Sequence, residues 1–558
     1  MDVPSYSHQP HSFAGKRSDA VVTGASAGLV ALAVVLAAPV VVSCLEAFTV
    51  AVPDIAGQEG AGFVNPRVFS GFVSSLPTLV LIAFLSALLA TPASRLLAAK
   101  PGLILVALLP MLVLPSYLAY AALDQLREPG SWLGNIVLHA KAPAWSDDPG
   151  YWPVFASKVQ AVFGLALWSW PIACALQTFA RMQIGQSVFD ALAMERLRRV
   201  DRSLLRLRIE LPGFLLSAAA VLLVILGSAV PLHLANVPTQ TQQIWLALQS
   251  GGSVQAWRSS IALLTVTLAA AIVVVVFVQR STSSTWDLRA MSRYFKRPWE
   301  RHVFLLMIAL LAVVSAVPVF SMVYRYIRAT HHFDHVVPNA MNDLARPALT
   351  SFIIGLVSAG VVVLIFVLCA VVSLRAESRL RVIVLGALTL LVWTSCVPGV
   401  LVGAGVGQQW GRFAAAMGYP GWMDQAQIVL AHIGRFGAVG ALAGWIGGLR
   451  TSREERESLM LDSAGLSVRW VPLWLGSRIG SVIVVFLVVL TLSFHEIESA
   501  VMLTAPGLSS YPSQMLQLLH VFKWETLSVG VLLATLGSIV LVLVGICLVR
   551  ARPIRRRL

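Results

Sequence analysis

The chain has 558 residues, of which 57% are hydrophobic and 12% are charged; its mean hydropathy is +0.80 and its formal net charge is +15. This composition excludes a soluble domain, whose surface needs many more polar residues. It indicates a polytopic membrane protein. The basic excess is assigned to membrane topology, because the Lys and Arg residues fall in alternate loops, so no nucleic-acid partner is predicted.

In chain order, residues 1–20 are polar and predict a mobile tail. About twelve apolar stretches follow, each near the 20 residues that cross roughly 30 Å of hydrocarbon as an α-helix. Barrel strands would alternate in polarity, so continuous apolar runs favour an all-α membrane protein. The predicted spans are 21–45, 68–90, 101–123, 157–180, 213–235, 258–279, 302–325, 350–373, 382–404, 427–449, 477–496 and 526–549.

The pattern of spans occurs twice. Spans one to six correspond to spans seven to twelve, with a longer loop after the third span of the first half. Because six is an even number, we expect two parallel six-helix repeats, related by an axis along the membrane normal. The predicted domains are 21–280 and 302–549, joined by a cytoplasmic connector at 281–301 and followed by a basic tail at 550–558.

The orientation follows from the basic loops, which are cytoplasmic by the positive-inside rule. Both termini are therefore predicted to be cytoplasmic. The basic segments on that side are 196–208, 289–301, 375–381, 450–469 and 550–557.

The five cysteines lie within or at the ends of apolar spans, without paired ligand spacing. We expect them to pack in the core and predict neither a disulfide framework nor a metal site. The run ending at Cys44 also resembles a lipoprotein cleavage box, which is the alternative to a first span at 21–45.

Charged residues within spans are sparse, and they group near the ends of spans ten and eleven. Arg435 lies in span ten, Glu496 and Glu498 close span eleven, and Pro398-Gly399 interrupts span nine. One interpretation is that Arg435 snorkels while the carboxylates are solvated at the interface. The other places all five residues on the solute pathway.

A cytoplasmic segment before span eleven carries the most specific pattern. It resembles the EAA loop of bacterial ABC importer permeases, with its acidic start, its small-residue turn and its apolar ending. The matching residues are Glu457 and Ser458 at the start, Asp462, Ser463, Ala464 and Gly465 at the turn, and Leu473 and Leu475 at the end.

The equivalent segment before span five is a degenerate copy. Its ending is well matched, but an arginine stands where the family has a small residue, and arginine cannot allow the close approach that glycine allows. The corresponding residues are Ala193 and Glu195 at the start, Arg199 at the turn, and Ile209, Leu211 and Pro212 at the end.

The resemblance covers most of the chain and is strongest to fused permeases of the ferric-iron and thiamine type. It implies the MetI-like, type I importer fold in a bacterial inner membrane, surrounded by lipid. It also implies an ABC ATPase dimer on both cytoplasmic loops and a periplasmic or lipid-anchored solute-binding protein. No phosphate-binding loop occurs in the sequence, so ATP is expected in the partner and the chain is not expected to be an enzyme.

Two alternatives remain open at this stage. The degenerate first loop fits a secondary transporter, or a permease-derived membrane scaffold without an ATPase. The basic loops alone also fit topology signals that meet lipid phosphates. A membrane-bound transferase is disfavoured, because the spans carry no carboxylate pair or histidine cluster at membrane depth.

Overall fold

The computed structural model describes residues 12–49, 66–99, 115–124, 151–182, 199–235, 237–281, 333–375, 378–418, 422–452, 470–503 and 509–550, with short stretches at 135–136, within 302–324 and within 454–458. Every regular element in these ranges is an α-helix. The earlier helices are α1 Ser12–Thr49, α2 Pro66–Ala99, α3 Ser116–Asp124, α4 Tyr151–Met182, α5 Arg199–Leu226, α6 Val230–Leu234, α7 Gln240–Gln249 and α8 Ser253–Ser281. The later helices are α9 Phe333–Arg375, α10 Ser378–Cys396, α11 Gly399–Ala416, α12 Met423–Leu449, α13 Trp470–His495, α14 Glu498–Leu503, α15 Tyr511–His520 and α16 Trp524–Arg550.

The chain is an all-α, multi-pass membrane protein. Among the described residues, nine helices are long and apolar enough to cross a membrane, and the bent pair α10 and α11 is a tenth candidate. These ten coincide with predicted spans, so the sequence prediction is confirmed at those places. Most of the third and seventh predicted spans lies outside the described residues.

Two helices differ from the predicted spans. The eighth span was predicted from residue 350, but α9 starts at Phe333 and has 43 residues. A helix of that length extends roughly 65 Å, about twice the hydrocarbon thickness, so α9 projects beyond the membrane. The ninth span was predicted as one helix, but α10 and α11 meet at 109°. Pro398 lies at this corner, where it lacks the N–H that a continuous helix needs.

The order of helix lengths is similar in the two parts of the chain. Helix α5 is followed by α6, α7 and α8, with 5, 10 and 29 residues. Helix α13 is followed by α14, α15 and α16, with 6, 10 and 27 residues. Helices α7 and α15 are also capped alike, because the Thr239 and Ser510 hydroxyls each accept a backbone N–H at the helix start.

Packing is also similar, since α2 packs on α4 and α5 while α9 packs on α12 and α13. Helix α1 packs on α8 of the earlier part of the chain and on α9, α10 and α11 of the later part, and α8 packs on α10. The main core of buried apolar residues therefore runs through both parts of the chain.

The crossing of α12 on α9 is made by glycines. A Cβ atom on Gly440 would overlap the carbonyl oxygen of Val362, and one on Gly444 would overlap that of Phe366. Gly448 lies one turn further along, against the next turns of α9. Small residues at this spacing let two membrane helices approach until their backbones touch.

The crossing of α4 on α2 is made by polar side chains. The hydroxyls of Ser86 and Ser169 lie 2.7 Å apart. The Gln177 side chain donates to the Ala87 carbonyl at 2.8 Å and accepts from the Ser94 hydroxyl at 3.1 Å. Interhelical hydrogen bonds of this kind stabilise helix association in an apolar solvent.

Gln177→Leu is expected to destabilise the chain by about 1–2 kcal/mol, because it removes the bonds to Ala87 and Ser94 of α2 and to Ser217 of α5. The measurement is the apparent melting temperature in mild detergent, followed by tryptophan fluorescence. Gln517→Leu is the matched control, since Gln517 is exposed. Equal melting temperatures for the two variants would contradict the role of Gln177.

Candidate functional site

Three helix breaks converge at one point inside the bundle. They lie between α5 and α6, between α10 and α11, and between α13 and α14. A Cβ atom on Gly227 would lie 3.7 Å from the Cα atom of Pro398, and one on Gly399 would lie 2.8 Å from the Cβ atom of Glu498. Discontinuous helices at membrane depth are typical of transporters, where free backbone groups surround the binding site.

Prolines contribute to two of the three breaks. Pro231, in the first turn of α6, has no N–H for the carbonyl of Gly227, which favours the end of α5 before it. Pro398 acts in the same way on α10 and adopts an extended ψ of 137°. After α13, the backbone N–H of Glu496 bonds the Ser493 carbonyl, which closes the last turn.

Arg435 is placed between the two carboxylates. Its Nε atom lies 3.7 Å from Glu496 Oε1, and its Nη2 atom lies 3.7 Å from Glu498 Oε2. Its Nη1 atom donates to the Val397 carbonyl at 2.8 Å, which ties the guanidinium to the corner between α10 and α11. The Glu496 and Glu498 side chains are only 8% and 6% exposed, so one guanidinium faces two buried carboxylates.

The two carboxylates have different partners. Glu496 Oε1 accepts from the backbone N–H and the hydroxyl of Ser499, so it caps the start of α14 within its own part of the chain. Glu498 Oε1 accepts the Ala229 N–H at 2.7 Å, and its carboxylate also accepts from Ser228. Glu498 therefore joins α14 to the break after α5, which is 269 positions earlier in the chain.

His432 lies one turn before Arg435 on α12. Its Nδ1 atom and the Ser493 hydroxyl oxygen are 2.5 Å apart, and its ring is 3% exposed. The ring also contacts Phe436 edge to face. His432 therefore fixes α12 against α13 and helps hold Arg435 in register.

The structure brings together all five residues predicted for the pathway, namely Arg435, Glu496, Glu498, Pro398 and Gly399. The alternative of a snorkelling arginine and solvated carboxylates is wrong, because all three charged side chains are largely buried and face one another. Arg435 also lies near the middle of α12 rather than near its outer end, since α12 starts at Met423. That the cluster borders a solute pathway stays a prediction.

Sequence reasoning missed the partners in the first half. The segment Gly227-Ser228-Ala229 lacks an acid where the later copy has Glu496 and Glu498. This segment contributes the Ala229 backbone N–H and the Ser228 hydroxyl, and neither group is charged, so neither stands out in the sequence. The only available signal was position, because Ala229 and Glu498 occupy corresponding places in the two sets of spans.

The first predicted docking loop is described only at its end. Ala193 and Glu195 lie outside the described residues. Arg199 begins α5, and Ile209, Leu211 and Pro212 lie inside the same continuous helix, so the ending of the motif is helical. Leu211 and Pro212 are exposed.

An ion-pair cluster fixes this end of α5. Glu210 Oε2 accepts from Arg95 of α2 at 2.9 Å and from Arg181 of α4 at 3.0 Å. The Glu210 and Arg181 side chains are about nine-tenths buried. The three helices α2, α4 and α5 are thus held together next to the predicted docking segment.

The second predicted docking loop is described at both ends. Glu457 and Ser458 are exposed, whereas Asp462, Ser463, Ala464 and Gly465 lie outside the described residues. At the start of α13, Leu473 is exposed and Leu475 is half-buried, so both flank a buried tryptophan.

That tryptophan, Trp474, anchors the end of the second loop. It is fully buried, and its Nε1 atom donates to the Thr451 hydroxyl at 3.1 Å. Arg478, one turn further along α13, pairs with Glu455 at 3.0 Å. The two ends of the loop are therefore tied to each other across residues 456–469.

Among the described residues, a cation–π contact joins the chain near the first predicted docking region to the start of the second. The Arg450 guanidinium, directly after α12, stacks on the Phe179 ring near the end of α4, 5.2 Å from the centroid. Burial lowers the pKa of Arg450 to about 10, so the guanidinium is still charged at neutral pH. The cation–π contact links the later part of the chain to the earlier part.

Cys174 and Cys369 are buried as predicted, Cys44 and Cys396 are half-buried, and Cys547 is exposed, so the prediction that it packs in the core is wrong. Within the described ranges, no three His, Cys, Asp or Glu residues are placed to hold a metal ion. The charged cluster at the helix breaks is the candidate site, and it can bind or hold charge.

No protein-family model, no curated protein and no solved structure matches this chain. The resemblance to importer permeases therefore depends on the motif residues named above. The function is argued below from those residues, from the packing of the helices and from the charged cluster.

Proposed function

We propose that this chain is the membrane-spanning subunit of an ABC importer, with two fused permease domains of the MetI-like type. A separate ATPase dimer docks on the two cytoplasmic loops, and ATP binding and hydrolysis there switch the path between outward and inward opening. A solute-binding protein, periplasmic or lipid-anchored, delivers the solute. The chain lies in the bacterial inner membrane with both termini cytoplasmic, and it carries no catalytic residue of its own.

The observation that carries this proposal is a pair of contacts between positions that correspond in the two sets of helices to within two residues. Ala229 bonds Glu498, 269 positions away, and Phe179 stacks on Arg450, 271 positions away. In an assembly of two similar units related by a two-fold axis, a residue touches its own counterpart only near that axis. The two contacts support an axis that passes between the domains 21–280 and 302–549, as in a parallel repeat.

The repeated order of helices supports the same arrangement. Helices α5, α7 and α8 start 271 positions before α13, α15 and α16, respectively. The packing of α2 on α4 and α5 has its counterpart in α9 on α12 and α13. Two such halves around an axis provide a central path, which is what a permease needs.

The solute class comes only from the resemblance, which is closest to importers of ferric iron and thiamine. In that family the external binding protein largely sets selectivity. A solute of either kind carries positive charge, and the buried Glu496 and Glu498 carboxylates are compatible with it.

One observation favours a different class, a cation-driven secondary carrier. Ionisable residues at membrane depth often relay protons or bind a coupling ion, and Glu496, Glu498 and Arg435 form such a group at three helix breaks. A permease-derived scaffold without an ATPase is the other alternative, and the degenerate first loop, with Arg199 in place of glycine, motivates it.

A pull-down of the chain in mild detergent, followed by mass spectrometry of the copurifying proteins, tests the proposal. We expect an ABC ATPase in a ratio of two copies per chain. Its absence under several gentle extractions would contradict the importer, and uptake driven by an ion gradient in proteoliposomes containing the chain alone would then establish the carrier.

A further inference from the structure

The two domains are joined at the helix breaks by one charged side chain. Glu498 supplies the acceptor, and the first domain supplies only the Ala229 N–H and the Ser228 hydroxyl. We propose that Glu498 is a latch that holds the path closed at this level, and that Arg435 positions it. The inference rests on the proposed function, because a latch on a path presupposes the path.

The latch bond, in which the Ala229 N–H donates to Glu498 Oε1, is a strong hydrogen bond. The acceptor is a carboxylate, the N–H to oxygen contact is 2.7 Å, and the Glu498 side chain is 6% exposed. Hydrogen bonds to charged groups contribute more than neutral ones and are least weakened where water is excluded. Separating the domains here requires this bond to break.

The site is also closed sterically. Gly399 lies against Glu496 and Glu498, with no space for a side chain, and Gly227 lies against Pro398. Gly399 thus packs against two glutamate side chains and Gly227 against the Pro398 backbone, so the three helix ends are in contact and leave no room for a solute between them. The described arrangement is that of a closed seal.

The closed seal contains buried charged groups whose hydrogen bonding is incomplete, which lowers the work of opening it. Glu498 Oε2 and Arg435 Nε are buried and have no hydrogen-bond partner among the described residues. Their ion pairs, at 3.7 Å, are too long for hydrogen bonds. Buried charged groups that are incompletely satisfied destabilise the closed state and lower the work of opening it.

Arg435 acts through Glu498 and the corner helix. It donates to the Val397 carbonyl at the bend between α10 and α11, and it faces both carboxylates. Loss of Glu498 therefore removes the bond to Ala229 and one of the two carboxylates that hold Arg435 at the bend, so the bend is held less firmly. Cys396, the last residue of α10 and only half-buried, lies directly before this bend and can report its opening.

The test is the alkylation rate of Cys396 by N-ethylmaleimide, followed by intact mass, in the full chain in mild detergent with the other four cysteines replaced by alanine. Glu498→Gln is expected to raise the rate by about tenfold or more, the population shift that loss of about 1.4 kcal/mol produces. An unchanged rate would overturn the latch.

Two matched controls separate the latch from general loss of charge. Glu46 of α1 also pairs across the domains, with Arg412 of α11, but this pair is exposed, so Glu46→Gln is expected to leave the rate within about twofold. Glu496→Gln keeps the cap on Ser499, and the hydrogen bonds of Glu496 among the described residues stay within the second domain, so it should have the smaller effect of the two buried glutamates. An equal increase in all three variants would also overturn the latch.

If Glu498→Gln does not elute as a folded protein, Glu498→Asp replaces it. Aspartate keeps the charge but is one methylene shorter, so the contact with Ala229 is lost and the same increase is expected. An unchanged rate in that variant counts against the latch. Labelling needs no ATPase, so failure to recover an ATPase would refute the importer without changing the labelling result. Likewise, an unchanged labelling rate would overturn the latch without bearing on the recovery of an ATPase.

Discussion

The Glu457→Lys variant is expected to insert into the membrane at normal levels. In a pull-down it should retain less than about a tenth of the ATPase that the unmodified chain retains. Glu457 begins the docking pattern and is exposed, so its substitution leaves the core unchanged. Reversal of a charge at an interface changes binding by several kcal/mol when the group is buried by the partner. The measurement is the amount of ATPase per chain after the mild-detergent pull-down.

Glu454→Lys is the matched control for this result. Glu454 is exposed in the same segment but precedes the motif, so its variant should retain the ATPase. Gly465→Arg tests the turn independently, because a side chain there would prevent both a glycine-type backbone angle and a close approach. Full retention of the ATPase by both Glu457→Lys and Gly465→Arg would contradict the docking assignment. If Glu454→Lys lost as much ATPase as Glu457→Lys, the loss would be a general effect of charge and not of the docking motif.

The second large effect is expected from Gly444→Leu, which should yield almost no folded chain. A side chain at this position would overlap the carbonyl oxygen of Phe366, and a backbone atom within a helix cannot move aside as a side-chain end can. Helices α9 and α12 would have to separate, and overpacking of this kind costs about 1–3 kcal/mol or more. The measurement is the monodisperse fraction in fluorescence-detected size-exclusion chromatography.

Gly360→Leu provides the control on the neighbouring helix. Gly360 lies on the exposed side of α9 with no atom in the way of a Cβ, and leucine has the higher helix propensity. Its variant should elute as the unmodified chain does. Normal elution of Gly444→Leu would show that the two helices can move apart without loss of the fold.

The ten confirmed spans could be predicted because the hydrocarbon thickness fixes the length of an apolar helix. The prediction failed where that constraint ends. Residues 333–349 extend α9 before the predicted span, and the hydrocarbon thickness does not fix the length of a helix that projects beyond the membrane. The corner at Pro398 was recognised as an interruption, but its angle of 109° depends on the packing of α11 against α1 and α14.

The candidate site was predicted in part for a similar reason. Charges are rare in spans, so Arg435, Glu496 and Glu498 stood out individually. Their burial and their mutual contacts could not be predicted, because the chain separation between α12 and α14 says nothing about distance. The Ala229 partner was beyond prediction, since every residue except proline carries the same N–H.

The use of a main-chain N–H as the donor at Ala229 has an evolutionary consequence. A bond to a main-chain donor cannot be lost by ordinary substitution at position 229, where only proline would remove it. The segment around position 229 can therefore vary freely, while selection falls on the carboxylate at position 498 and on Arg435. We expect related chains to vary in residues 227–229 and to keep the acid at position 498, so the two sides of one contact would evolve at different rates.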